Sequence, residues 1–188
     1  MDKYSCFSEL SHNENDFELD FCDRNASVTI LAPHGGRIEP YTTEIARLIA
    51  GDNYNYFCFN GRKEGCNNDL HITSHRYDVK QALTLVEKSL TVITVHGCTR
   101  DEPLLFLGGL DTNIKNRIAA ELKTTNIAVD QLCSAYGGKH KNNICNRGTT
   151  GKGVQLECSR PLRNLPENRL TLARAIRRAL NSFLKDNW

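Results

Sequence analysis

The sequence lacks any apolar run near the roughly 20 residues that a membrane-spanning helix needs. Its N-terminus, MDKYSCFSELSHNENDFELD, is acidic and lacks the apolar centre of a secretory signal peptide. We therefore expect no membrane partner and a protein that is cytoplasmic as synthesised and acts extracellularly only after cell lysis. With 188 residues, of which 39% are hydrophobic, the chain suits one domain over 1–188, with an irregular N-terminal segment over 1–25.

Several motifs of common enzyme classes are also missing. No G-x-S-x-G nucleophile elbow, P-loop, G-x-G-x-x-G or H-E-x-x-H occurs, so local motifs support neither serine catalysis nor nucleotide binding. The eight cysteines include no Cys-x-x-Cys pair, and without a signal peptide they do not indicate a disulfide scaffold. We expect them to be reduced, and zinc on cysteine ligands is not indicated.

Apolar, β-branched segments alternate with segments of helical periodicity. The predicted strands are 27–33, 54–61, 90–97, 103–111, 126–132 and 154–159, and the predicted helices are 40–51, 78–89, 112–125 and 166–188. This alternation is typical of an α/β domain, with a three-layer α/β/α arrangement and a mixed, largely parallel sheet. In the first helix Ile45, Leu48 and Ile49 share the inward face, and in the last helix the inward row begins at Leu170.

Titratable side chains stand near the ends of three of these strands. His34 follows the first strand, His96 is near the end of the strand over 90–97, and Glu157 lies late in the last strand. In open α/β sheets, ligands bind beyond the carboxyl ends of the strands. We therefore expect these three side chains to meet at one edge of the sheet.

The stretch LAPHGGRIEP adds a carboxylate five residues after His34. A catalytic zinc often has two His ligands, one Glu ligand and an open position for water, and His34, Glu39 and His96 supply that set. The two glycines would let the loop bend, Pro40 would start the next helix, and Glu157 would take a proton from water. Spacing alone leaves a second interpretation open, namely a core histidine, a surface glutamate and a Gly-rich turn.

Two further histidines, His71 and His75, stand four residues apart and would share the face of a helix. The residues between them, ITS, are poor helix formers, and the preceding NND indicates a loop. We therefore interpret His71 as a group that contacts the substrate or supports a ligand, and His75 as a surface residue.

The basic side chains are unevenly distributed, although the net charge is only +2. Residues 139–163 contain six lysines and arginines against one acid, Glu157. Such a segment attracts polyanions, and either nucleic acid or an acidic polymer fits. For any single one of these side chains, a solvated loop is the simpler interpretation.

Six blocks, in this order, together resemble the poly-gamma-glutamate hydrolase family of phage and bacterial zinc peptidases: APHGGRIEPYTTEIA, DLHITSHRYD, VITVHG, FLGGLD, NICNRG and GVQLECSR. The resemblance covers about residues 28–163 and leaves out the N-terminal segment and the last helix. It implies a fold similar to the zinc carboxypeptidases and an enzyme that cleaves γ-linked polyglutamate.

The resemblance also implies roles for individual residues. One zinc ion per chain would be bound by His34, Glu39 and His96, and Glu157 would be the general base. The residues implied or considered for substrate binding are Asn146, Arg147, Arg160 and His71. An arginine suits such a role because its planar guanidinium meets a carboxylate with two parallel hydrogen bonds.

The expected function is therefore zinc-dependent hydrolysis of the γ-glutamyl amide bonds of poly-gamma-glutamate by a monomeric protein. Capsule degradation by a bacteriophage is the biological role that the resemblance implies, and the partner is an anionic polymer rather than nucleic acid. Two alternatives remain. One is a zinc amidohydrolase that acts on small acyl-glutamates or on peptidoglycan γ-linkages, and the other is a non-enzymatic phage protein that binds nucleic acid.

Overall fold

Seven strands and six α-helices make up most of residues 2–186, the part of the chain that the computed structural model describes. The strands are β1 (Phe17–Cys22), β2 (Val28–Gly36), β3 (Asn55–Gly61), β4 (Thr91–Gly97), β5 (Leu104–Gly108), β6 (Ala128–Asp130) and β7 (Val154–Cys158). The helices are α1 (Phe7–Asn13), α2 (Thr42–Ala50), α3 (Lys80–Val86), α4 (Thr112–Leu122), α5 (Arg160–Asn164) and α6 (Pro166–Lys185). Short 3-10 turns lie in the connections at Asn67–Leu70, Ser74–Arg76, Ser134–Tyr136 and Ile144–Asn146.

All seven strands form one sheet in the order β1-β3-β2-β4-β7-β5-β6. Its centre is parallel, because β3, β2, β4 and β7 run in one direction. The outer strands differ: β1 is antiparallel to β3, β5 is antiparallel to β7, and β6 is parallel to β5. The predicted α/β class with a mixed, largely parallel sheet is confirmed.

Helices cover both faces of this sheet. On one face, α2, α4 and α6 contribute Ile45, Ile118 and Ile176 to a large core. On the other face, α1 and α3 contribute Leu10 and Leu85 to a second core. Because both faces are covered, every residue of β7 is buried regardless of the direction of its side chain. Among the described residues, no helix combines the length and apolar character needed to cross a membrane.

Two residues that the periodicity placed inward lie at the surface. Leu48 of α2 and Leu170 of α6 are 37% and 41% exposed, and both border one surface groove. The reason is the packing of α6 against both α2 and α4. That packing centres the buried stripe of α6 on Leu172 and Ile176, so the predicted row begins on the wrong residue.

The N-terminal segment was expected to be irregular, with at most one short helix. It forms that helix, α1, and also a strand that was not predicted, β1, whose pairing with β3 runs from Phe17↔Gly61 to Cys22↔Tyr56. The sequence of β1, FELDFC, carries two acids in six residues, as edge strands often do. The alternation of polar and apolar residues in β1 spans only six residues, which is too short to distinguish a strand from a loop in the sequence. The five-residue helix α5 was not predicted either.

Candidate metal centre and active site

The loop between β2 and α2 begins at an irregularity in the sheet. The register of β2 with β3 shifts between Ala32 and Gly35, so His34 lies at a β-bulge, a feature that redirects side chains. Gly36 has φ +63°, and a Cβ there would lie 2.5 Å from a backbone oxygen of β3. The backbone N–H of Glu39 donates to the His34 carbonyl (2.9 Å) and closes the loop. As a result, His34 Nδ1 and Glu39 Oε1 are 3.2 Å apart.

The same loop is tied to two strand ends by an arginine that the sequence did not single out. Helix α2 begins after Tyr41, its N-cap residue at φ 72°, so Pro40 precedes the helix rather than starting it as predicted. The Pro40 carbonyl accepts a hydrogen bond from Arg163 Nη1 (2.6 Å). Arg163 also donates to the carbonyls of Cys158 (3.0 Å) and Cys98 (3.4 Å). It therefore holds the loop, the end of β7 and the residue after β4 together.

The second histidine approaches from β4. His96 Nδ1 lies 3.2 Å from His34 Nδ1 and 3.8 Å from Glu39 Oε2. Glu39 Oε2 also accepts a hydrogen bond from the backbone N–H of Gly97 (2.9 Å), which fixes the carboxylate at the end of β4. Both imidazoles are buried, at 2% and 3% exposure. Two ring nitrogens and one carboxylate thus converge on a single point.

The hydrogen bonds around these rings fit a cation. His34 Nε2 lies 2.9 Å from the Ile72 carbonyl, and because a carbonyl only accepts, Nε2 carries the hydrogen and Nδ1 is free to bind a metal. His96 Nε2 is buried with no hydrogen-bond partner among residues 2–186, whereas His96 Nδ1 faces His34 and Glu39. Two imidazole nitrogens and a glutamate oxygen form a donor set that suits Zn²⁺.

Burial and neighbouring charges shift the pKa values of His34, Glu39 and His96. Burial opposes protonation of His34, but the Glu39 carboxylate, the Ile72 carbonyl and the charge of Glu157 together raise the pKa of His34 above its ordinary value. Burial also acts against the charge on Glu39, yet His34 and its hydrogen bond lower the pKa of Glu39 below its ordinary value. Burial lowers the pKa of His96 to about 3. The chain alone therefore favours the ionised form of Glu39 and keeps His96 neutral, the form that binds metals.

Glu157 faces the cluster because of strand register. In the parallel pair β4–β7, His96 lies directly opposite Glu157, so both side chains leave the sheet on the same face. Glu157 Oε1 accepts from Gln155 Nε2 (3.0 Å), and Gln155 Oε1 accepts from Asn143 Nδ2 (2.8 Å). Burial, followed by the charge of Glu39, raises the pKa of Glu157 to about 8 in the chain alone. A bound cation would lower that pKa by attraction.

His71 stands on the other side of His34. The two rings lie 3.9 Å apart at 31°, and His71 Nδ1 is 2.8 Å from Asp2 Oδ1. Ligand atoms of His34, Glu39 and His71 also lie within 4.8 Å of one another, which makes a second possible metal-binding set. In the set with His96, the Nδ1 atom of His96 lies 3.2 Å from His34 Nδ1 and 3.8 Å from Glu39 Oε2. His71 offers a nitrogen from a more exposed side.

Two cavities meet at this cluster. The first, of about 410 Å³, is bordered by His34, His96, Glu157, Lys139 and His140 among others. The second, of about 580 Å³, lies beyond Glu39 and is bordered by Arg160. Glu39 and His71 border both cavities. The metal candidate therefore lies in a groove that continues to either side.

The structure brings only part of the predicted substrate-binding set to this groove. Arg160 borders the second cavity, and no described residue pairs with its guanidinium. Arg147 instead donates to the Tyr77 carbonyl (3.1 Å) and lies 3.7 Å from Glu87, so it borders neither cavity. The loop that contains Arg147 crosses the face of the sheet covered by α3, which sequence spacing could not show.

Asn146 is also placed in a different role from the predicted one. Its Oδ1 accepts from the backbone N–H groups of Leu110 and Gly153, and its Nδ2 donates to the carbonyls of Gly138 and His140. It is 2% exposed. Both polar atoms of the Asn146 side chain are therefore engaged in hydrogen bonds to the backbone, and neither is left for a substrate. His75, predicted as a surface residue, is exposed at the rim of the first cavity.

A family model and a curated relative both match most of this chain. A family model described as poly-gamma-glutamate hydrolase matches residues 4–185. The SPbeta prophage-derived UPF0714 protein YoqZ of Bacillus subtilis (strain 168) is 36% identical over 176 residues, which are 92% of this chain and 64% of YoqZ. The chain thus spans less than two thirds of the length of that relative.

Two solved structures are similar over nearly the whole chain. A bacteriophage poly-gamma-glutamate hydrolase has a TM-score of 0.91 at 26% identity, with 98% of this chain and 99% of that chain covered. YndL in a zinc-free apo form has a TM-score of 0.89 at 28% identity, with 96% and 98% covered.

Proposed function

The chain belongs to the poly-gamma-glutamate hydrolase family, and we propose that it cleaves the γ-glutamyl amide bonds of poly-gamma-glutamate with the help of zinc. The observation that carries this proposal is the convergence of His34 Nδ1, the Glu39 carboxylate and His96 Nδ1 beside a buried Glu157. Family membership supports the substrate, and the donor set supports the metal. Degradation of a polyglutamate capsule by a phage is the biological role that we propose.

We assign His34, Glu39 and His96 as the residues that hold the ion, one per chain. The distances between their ligand atoms support this set, and the approach through His71 is left for the substrate. A zinc ion at this position supplies Lewis-acid chemistry, since it polarises an amide carbonyl and makes water more acidic. The buried hydrogen bond from His34 to the Ile72 carbonyl keeps the ring in the tautomer required.

Glu157 is the general base in this proposal and later the acid. Gln155 holds Oε1, so Oε2 is the oxygen that takes a proton from the attacking water. The same carboxyl then gives that proton to the nitrogen of the leaving glutamate as the amide bond breaks. Burial keeps bulk water from competing for the proton. The pKa of Glu157 is about 8 in the chain alone, and a cation bound beside it would lower that pKa and favour the carboxylate, the form that accepts a proton.

The two cavities suit a polymer that passes across the cluster. Poly-gamma-glutamate carries one α-carboxylate per residue, so a segment across the cluster presents a negative charge on each side of the bond to be cut. Arg160 borders one cavity and Lys139 the other. We propose that these two cations bind substrate carboxylates on opposite sides, with His71 between them. Asn146 supports Lys139 indirectly, because it holds the carbonyls of Gly138 and His140.

The alternatives suggested by the sequence find less support. A small acyl-glutamate would occupy one cavity and leave the other unused. A protein that only binds nucleic acid would have no use for a buried carboxyl such as Glu157 beside the cluster, whereas a hydrolase needs one as its base. The groove therefore favours a substrate that places an amide bond at the cluster and carboxylates on both sides of that bond.

The proposed function is tested with zinc-loaded protein and long poly-gamma-glutamate, by following the size of the polymer. We expect the wild type to shorten it and Glu157→Gln to leave it intact while still binding zinc, because the ligands are unchanged. Glu64→Gln, at an exposed position, is the matched control and should be fully active. Activity that survives in Glu157→Gln refutes the assigned base.

Short γ-linked glutamyl peptides distinguish a polymer hydrolase from a small-molecule amidohydrolase. A groove with binding positions on both sides predicts that kcat/KM rises as the peptide becomes long enough to occupy both cavities. Equal efficiency on a dipeptide and on the polymer would refute the two-sided binding and favour a small-molecule amidohydrolase.

A further inference from the structure

The second residue of the chain reaches the candidate metal centre. The Asp2 side chain is 8% exposed, and its carboxylate accepts four hydrogen bonds. Oδ1 is 2.8 Å from His71 Nδ1, and Oδ2 accepts from the backbone N–H of Thr73, the Thr73 hydroxyl and Arg76 Nη2, each at 2.7 Å. This carboxylate is a connection between the N-terminal segment and the groove, 69 residues away in sequence.

The segment that carries Asp2 is itself anchored. The Tyr4 hydroxyl and Lys3 Nζ donate to Glu14 Oε1 (2.7 and 2.9 Å), and Lys63 donates to the same carboxylate. Lys3 and Tyr4, which follow Asp2, are therefore held by contacts outside the groove. Burial disfavours the charge on Asp2, but the donors on Thr73 and His71 lower its pKa to about 2, so Asp2 is ionised at neutral pH.

An ionised carboxylate can only accept a hydrogen bond, so it fixes the hydrogen of His71 on Nδ1. Nε2, which has no partner among the described residues, then keeps its lone pair toward the groove. The ring of His71 also lies 3.9 Å from that of His34. The orientation of His71 consequently sets one wall of the pocket that His34 occupies.

We propose that Asp2 is a positioning residue of the metal centre, acting through His71, whose tautomer and ring orientation it holds. This inference rests on the zinc assignment made under the proposed function. Removing the outer partner of a metal-bound histidine typically changes metal affinity by about 10–100-fold; a smaller loss, about threefold to tenfold, is expected for Asp2 because His71 contacts the ligand His34 rather than the ion. An amide at position 2 would be especially disruptive, because its NH₂ can donate to His71 Nδ1 and so move the ring hydrogen to Nε2.

The test measures Zn²⁺ affinity by competition with a chelator, with no substrate present. We expect Asp2→Asn to bind zinc about threefold to tenfold more weakly than the wild type. In a His71→Ala background, Asp2→Asn should cause no further loss, since a residue that acts only through His71 has nothing left to act on. Arg76→Gln is the matched control, because it removes another partner of Asp2 without touching the groove, and it should bind zinc as the wild type does.

Two results would overturn the inference. One is wild-type affinity in Asp2→Asn, and the other is an equal loss in the presence and absence of the His71 side chain, which would mean a general structural effect. Circular dichroism checks the fold, and Asp2→Ala replaces Asp2→Asn in the same cycle if the amide prevents folding. Zinc binding without polymer hydrolysis would refute only the proposed substrate, whereas a wild type that binds no zinc would refute the metal assignment and this inference together.

Discussion

Metal-free protein should lose stability as the pH rises, and the change Glu157→Gln should remove most of that loss. The pKa of Glu157 is raised from 4.5 to about 8 by burial and by the charge of Glu39. Since the folded state holds this proton more tightly than the unfolded state, the protonated carboxyl favours folding. The contribution is fully present below pH 4.5 and is lost progressively as the pH rises through about 8.

The size of the effect follows from the difference between the pKa values of Glu157 in the unfolded and folded states. At about 1.4 kcal/mol per pH unit, the distance from 4.5 to about 8 corresponds to at most about 5 kcal/mol. Typical domains are stable by about 5–15 kcal/mol, so the loss would be large. Glutamine has nearly the same shape, stays neutral at every pH, and keeps an oxygen that can accept from Gln155 Nε2.

The assay is urea unfolding in the presence of a chelator, between pH 5 and pH 9. Relative to wild type, Glu157→Gln should gain several kcal/mol of unfolding free energy over this range, whereas the exposed control Glu64→Gln should follow wild type. Added Zn²⁺ should shrink the difference, because a cation beside Glu157 stabilises its carboxylate. Parallel curves for wild type and Glu157→Gln would show that the buried proton is not on Glu157 and would refute the reasoning.

Three further predictions concern the ligands, the loop and the groove. Metal analysis should find about one zinc per chain, and both His34→Ala and His96→Ala should lose it; retention in either variant contradicts the assigned set. Gly36→Ala should lower the unfolding free energy by about 2–4 kcal/mol in urea titrations, because φ is +63° and the added Cβ would lie 2.5 Å from a backbone oxygen. Arg160→Gln should raise KM for poly-gamma-glutamate about tenfold with little change in kcat, the signature of lost substrate binding. Arg147→Gln, which changes a residue outside both cavities, should leave KM unchanged, and a KM that rises equally in both variants would contradict the assignment.

Much of the framework could be predicted from local pattern. The strand over 90–97 appears as Thr91–Gly97 and the helix over 112–125 as Thr112–Leu122, because side-chain periodicity is a local property of the chain. The positions of His34, His96 and Glu157 near strand ends could be seen for the same reason. Parallel strands bring those ends to one edge, and the distance between His34 Nδ1 and His96 Nδ1 is 3.2 Å.

The substrate-binding residues were harder to predict because they lie on loops. Arg147 and Arg160 look equivalent in sequence, yet one is paired with the Tyr77 carbonyl and the other borders the groove. Gln155 could have been found, since it stands two residues before Glu157 and so shares its face of β7. No sequence signal pointed to Asp2, whose contact with His71 spans 69 residues.

The amino-acid sequence by itself determined the type and order of the elements and the presence of His34, Glu39, His96 and Glu157 near strand ends. These features depend on interactions within a few residues, which a linear pattern records. Only the tertiary structure decided that His96 pairs in register with Glu157 and that the N-terminal segment supports the groove. Register, burial and pKa depend on which distant groups share a low-dielectric space, and that is settled when the sheet and its covering helices pack together.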